Sequence, residues 1–154
     1  MQVVFCDGWR ALRRSTGIPI LTGEKLELLK EFREFADARV VDIIHPGPAF
    51  AGGLTGTRKI ADSAQTSRIA VALHNVGSLV LCYASAHFGS AIPNFHRSGS
   101  APGRPGGAIE KMSAAGAPVV KASYLSVSAG AGLGFVPDED YLRSQLEKDE
   151  PFWS

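Results

Sequence analysis

Two polar side chains occupy equivalent places in the chain. Glu24 closes the run Ile18-Pro-Ile-Leu-Thr-Gly-Glu24, and His74 closes the run Arg68-Ile-Ala-Val-Ala-Leu-His74. In each case a short apolar segment ends on one chemically capable residue and a helical stretch follows. A carboxylate so placed can ligate Mg²⁺, which takes oxygen donors and keeps several waters; the plainer alternative is an exposed charge near Lys25. An imidazole so placed can take or deliver a proton near neutral pH; the plainer alternative is a hydrogen-bonded structural histidine. Strand–helix units that repeat with reactive residues at the carboxyl ends of the strands are how a (β/α) barrel builds an active site.

Other candidates carry less. His45 and His96 also lie at strand ends and His87 lies in a helical run. The structural reading is favoured for all three, although His96 and Arg97 could line the same mouth. Gly52-Gly53 precedes a helix, but neither GxGxxG nor GxxxxGK[ST] is present, so a tight strand-to-helix turn is expected. Gly130 to Gly134 is similarly weak as a phosphate loop. Without GxSxG or HExxH, hydrolase and zinc-protease chemistry has no motif to rest on.

The elements that would position Glu24 and His74 follow from periodicity. Trp9 to Ser15 reads as the end of a helix that stops near Gly17. Ile18 to Thr22 is a short apolar strand, and Leu26, Leu29, Phe32 and Phe35 then recur at helical spacing. Arg39 to Ile44 is a second strand, near-continuously apolar around Asp42, as suits a parallel sheet covered on both faces. A helix over Leu54 to Thr66, a strand over Arg68 to Leu73, a helix over Ser78 to Phe88 and a strand over Ile92 to Phe95 complete the alternation. Such a chain is α/β with a parallel sheet. Beyond it, Ser98 to Gly107 reads as a Gly/Pro/Ser-rich loop, Val119 to Val127 as a strand, and Asp138 to Lys148 as a helix with Asp138 as N-cap.

Composition bounds the rest. At 154 residues with 45% apolar content, the chain can bury a real core. It is short for a whole eight-stranded barrel, which takes about 250 residues. A formal net charge of +1 with scattered basic residues points to neither nucleic acid nor an anionic membrane as partner. The apolar stretch Val76 to Phe88 is too short to span a bilayer. Two cysteines, Cys6 and Cys82, make no disulfide framework or CxxC site; Cys82 reads as a small core residue, and a reducing, cytoplasmic setting is expected.

Taken in order, several runs resemble the carboxyl-terminal half of the enolase superfamily, in its mandelate racemase and sugar-acid dehydratase branch. They are Gly17-Ile-Pro-Ile-Leu-Thr-Gly-Glu24, Val41-Asp-Ile-Ile-His-Pro46, Ala51-Gly-Gly-Leu54, Arg58-Lys-Ile-Ala-Asp62, Ala72-Leu-His-Asn75, Ala91-Ile-Pro-Asn-Phe95 and Gly132-Leu-Gly-Phe135. The resemblance implies a partial TIM-type (β/α) barrel, strands five to eight. Residues 1–97 would make the half-barrel, and residues 98–154 a loop, strand and helix extension of the same domain. It implies a Mg²⁺-dependent lyase (a dehydratase) or racemase acting on a sugar-acid carboxylate. A proton is removed next to the carboxylate through an enediolate, and in dehydratases water is lost. It assigns Glu24 as the metal ligand and His74 as the catalytic base or acid.

The departures are equally specific. The Asp that the resemblance pairs with His74 falls at Gly47, and a Glu that would hydrogen-bond the substrate falls at Gly99. The capping domain, the earlier strands, two further metal ligands and a Lys motif have no counterpart in this chain. One carboxylate is too few to hold Mg²⁺ against its hydration shell, so little activity is expected of the chain alone. Open sheet edges and an uncovered inner face predict self-association. The alternative is a non-catalytic half-barrel that acts by self-association or by docking to a complementary half.

Overall fold

The spacing of Phe32 and Phe35 puts both on one side of a helix, and in the computed structural model they are buried together with Leu26, which precedes that helix instead of opening it as its spacing suggests. That helix, α2 (Leu29–Ala38), ends where Arg39 turns into the left-handed region, its N–H bonded to the carbonyl of Ala36. The described residues are 6–99, 110–114, 120–127, 129–134 and 136–152. Around α2 the chain runs α1 (Cys6–Ser15), β1 (Leu21–Thr22), α2, β2 (Ile43–Ile44), α3 (Gly53–Thr66), β3 (Ala70–Leu73), α4 (Leu79–Ser90) and β4 (Phe95–Ser98). The four strands form one sheet in chain order, every pair parallel. Parallel neighbours joined through a helix are βαβ units, as the alternation predicts.

Register fixes what comes together later. Ile43 pairs with Ala70 and Ile44 with Val71, and β3 runs two residues beyond that pair, to Leu73. Val40, Val41, Ile44, Val71 and Leu73 are fully buried and share a core with Phe32, Ile60 and Ala64 from the covering helices. Helix α1 joins this core through Trp9, whose ring meets Phe35 edge-on at 5.4 Å. It is also tied by Arg13, which donates to Asp42 Oδ1 from Nε (3.0 Å) and Nη2 (2.6 Å) and to the Arg39 carbonyl. Asp42 Oδ2 accepts from the Ile20 N–H.

Several expectations need correction. The strands are shorter than the apolar runs that contain them, and the fourth is displaced. It begins at Phe95 instead of Ile92, and all four of its residues are exposed. Ile92 is buried in the core, and the Asn94 amide donates to the carbonyls of Ala61 and Ile69. Val119 to Val127 is not one strand. Val120–Lys121 (β5) and Tyr124–Leu125 (β6) form an antiparallel hairpin, turned by Ala122 and Ser123 at positive φ. The last helix, α5 (Glu139–Ser144), is shorter than expected, but Asp138 does cap it by accepting from the Tyr141 N–H. A short 3₁₀ turn at Glu110–Met112 precedes the hairpin. The loop expected over Ser98 to Gly107 lies, beyond Gly99, outside the described residues. Cys82 is half-buried instead of fully enclosed, and burial pushes its thiol up. Among the described residues no helix is long and apolar enough to cross a membrane.

Candidate functional site

Glu24 leaves the sheet on a turn that only glycine makes cheaply. Gly23 has φ of 124°, and a Cβ there would stand 2.7 Å from Phe32 Cε1. Backbone bonds then carry the sheet pairing past the strand ends: His45 N–H to Thr22 O at 2.8 Å, His74 N–H to Pro46 O at 2.9 Å, and Gly99 N–H to Leu73 O at 2.6 Å. Glu24, His45, Gly47, His74 and Gly99 therefore sit along one edge, at the carboxyl ends of the four strands.

Glu24 and His74 meet as the repeat predicts, with Oε2 and Nδ1 3.9 Å apart. His45 joins them: its Nε2 lies 3.2 Å from His74 Nδ1, with the two rings edge-on at 5.0 Å. The structural reading favoured for His45 is thus only half right. Its Nδ1 does bond to the Ala72 carbonyl at 2.7 Å, but its other nitrogen faces the site. A carbonyl can only accept, so His45 Nδ1 carries the hydrogen and Nε2 the lone pair. His74 Nδ1 must then donate to it, which leaves His74 Nε2 with a lone pair in the neutral ring. Burial pushes His45 below the ordinary imidazole range, the charge of His74 adds to that, and the Ala72 carbonyl and Glu24 oppose it. His45 is accordingly neutral at neutral pH.

His87 and His96 stay apart from this cluster. His87 Nε2 bonds to the Leu133 carbonyl at 3.1 Å, a structural tie, and His96 lies exposed within β4. The two glycines at which the resemblance expects carboxylates both face the site. A Cβ at Gly47 would lie 3.4 Å from His74 Cδ2, and one at Gly99 would lie 3.6 Å from His45 Cε1.

The donor set does not suit Mg²⁺. Among the described residues the cluster that could hold a cation is Glu24, His45 and His74, with ligand atoms all within 4.8 Å of one another. One carboxylate and two imidazoles offer a single hard oxygen, whereas Mg²⁺ asks for oxygen donors throughout.

In (β/α) barrels the site lies at the carboxyl ends of the parallel strands, and residues 5–141 match the family described as Enolase C-terminal domain-like. The chain belongs to that family. It is 41% identical over 88 residues to D-xylonate dehydratase from Haloferax volcanii, covering 57% of this chain and 21% of that protein. It is 30% identical over 91 residues to D-gluconate dehydratase from Thermoproteus tenax, covering 59% and 18% respectively. A mandelate racemase/muconate lactonizing enzyme-like protein from Rubrobacter xylanophilus DSM 9941 shares its fold with a TM-score of 0.83 at 33% identity, covering 99% of this chain and 39% of that one. The matched region is thus about a fifth of those two dehydratases.

Proposed function

We propose that the chain supplies strands five to eight of the barrel of an acid-sugar dehydratase-like protein of the enolase superfamily. Residues 1–97 form that half-barrel and residues 98–154 its extension, in a cytoplasmic setting. The observation that carries the proposal is the meeting of Glu24 and His74 at one sheet edge, 3.9 Å apart, in a chain of this family. His74 Nε2 takes the proton from the carbon next to a substrate carboxylate, while its Nδ1–H is held by His45. The C–O bond at the neighbouring carbon then breaks. The imidazolium returns its proton to the departing hydroxyl, and the resulting enol rearranges to a 2-keto acid. Glu24 is the ligand this segment contributes to a metal site whose other carboxylates it does not hold. The chain alone is accordingly expected to turn over little or nothing.

The test separates binding from turnover. Aldonic and aldaric acids are titrated into the ¹⁵N-labelled chain and followed at the histidine side chains, with 2-keto acid measured in parallel. The expected result is perturbation of His74 without appreciable product. An unperturbed His74 across the acid-sugar series refutes the proposal. Turnover that disappears in His74→Asn or Glu24→Gln keeps the site and refutes the inactivity.

A second role, docking to another copy, has its own support. Leu21 in β1 and Ile18 just before it stand exposed, and β1 is an edge strand with no outer neighbour among the described residues. An apolar open edge invites pairing.

A further inference from the structure

We infer that Glu24, His45 and His74 form a binding site for a borderline-soft divalent cation of the Zn²⁺ class. The inference goes beyond the dehydratase proposal and does not rest on it. Two imidazoles and one carboxylate are a donor set that such ions take readily and Mg²⁺ does not. The spacing agrees as well. Two nitrogens bound to one tetrahedral Zn²⁺ at about 2.0–2.1 Å must lie about 3.3 Å apart, and His45 Nε2 and His74 Nδ1 are 3.2 Å apart.

A second observation points the same way. Metal-bound histidines characteristically donate their other ring N–H to a carbonyl or carboxylate, which fixes the tautomer and aims the lone pair. His45 is held in that manner: its Nδ1 bonds to Ala72 O at 2.7 Å, so its Nε2 lone pair is already turned toward the site. Both imidazoles are partly buried, which limits their motion. Glu24 is 54% exposed, so its side chain has the freedom to close its 3.9 Å separation from His74 onto an ion. Three protein ligands leave a fourth position for water.

Occupancy has a chemical consequence. The ion takes the place of the proton that His74 Nδ1 now donates to His45, and that proton moves to Nε2, so the ring stays neutral with no lone pair left on Nε2. A metal-loaded chain therefore cannot use His74 as a base, so the ion opposes the proposed proton transfer.

The experiment is titration of ZnCl₂ and, separately, MgCl₂ into the purified chain by calorimetry, with the histidine ¹⁵N resonances recorded alongside. One Zn²⁺ per chain is expected, held at least about a thousandfold more tightly than Mg²⁺. His45 and His74 resonances should shift while those of His87 and His96 stay in place. Co²⁺ in place of Zn²⁺ should give the strong visible absorption of a tetrahedral ion. Glu24→Gln and His45→Gln should each weaken binding at least tenfold, and the doubly changed H87Q/H96Q chain should bind like the parent. Zn²⁺ affinity no greater than that for Mg²⁺, or shifts at His87 and His96 in place of His45 and His74, would overturn the inference. The resonance assignment needs no variant, so it holds even if a substitution unfolds the chain. Because Zn²⁺ binding is read without substrate, failure here leaves the acid-sugar titration standing, and the reverse.

Discussion

Substituting Asp42 by Asn should loosen the packing of α1 against the sheet and do so in a pH-dependent way. The carboxylate accepts from the Ile20 N–H at 2.9 Å and from two nitrogens of Arg13 at 3.0 and 2.6 Å. The Ile20 bond is the main reason its pKa lies below the ordinary carboxylate value; Arg13 adds to the lowering, and burial opposes it. A hydrogen bond to a charged group is worth about 1.5–3 kcal/mol, but the Arg13 side chain is 43% exposed, which screens the charge. Since the amide oxygen can keep one neutral bond, the net loss at neutral pH is about 1.5 kcal/mol, or about 3–6 °C of melting temperature for a chain of this size. The sign follows from the depressed pKa. The charge's contribution is complete above the unfolded carboxylate value of 3.8 and is lost as pH falls through the lower folded value. Melting followed by circular dichroism between pH 7 and pH 2.5 should show the gap between parent and Asp42→Asn narrowing only in the acid range. A gap that persists undiminished at the acid end, or is absent at pH 7, would show that this carboxylate does not anchor α1.

Leu73 is fully buried directly before His74; Leu73→Ala should cost about 3 kcal/mol in denaturant unfolding, and a loss under 1 kcal/mol would contradict the packing of β3. Gly23→Ala must place a Cβ at φ 124° and 2.7 Å from the Phe32 ring, so a melting temperature equal to the parent's would disprove that turn. Charging the exposed edge with Ile18→Glu and Leu21→Glu should move the chain toward monomer in sedimentation velocity; a parent that is already monomeric at high concentration rules out association through β1.

The legibility of the sequence tracked how locally each signal is written. The parallel order and the meeting of Glu24 with His74 follow from repeated apolar runs that end on polar residues, and both were readable. β4 was misplaced because its residues, Phe95–Ser98, are exposed and carry no apolar pattern, while buried Ile92 supplied one three positions early. The hairpin was missed because Ala122 and Ser123, not Gly or Asn, take its positive φ. His45 was undervalued for a different reason. It is 29 residues from His74 in sequence, and only the parallel pairing of β2 with β3, continued by the His74 N–H bond to the Pro46 carbonyl, brings the two rings together.

The backbone bonds that extend the sheet past its strand ends, from His45 to Thr22, His74 to Pro46 and Gly99 to Leu73, involve no side chain. They do not depend on which side chain stands at the donor positions, so long as proline, which lacks the N–H, is absent there. Gly47 and Gly99 can therefore stand beside the two histidines without disturbing the frame. Chemistry on this rim is free to drift while architecture stays put, so an altered donor set is a change of lining, not of fold. A scaffold built in that way can lose one reaction and acquire another affinity by exchanging a handful of side chains at a single edge.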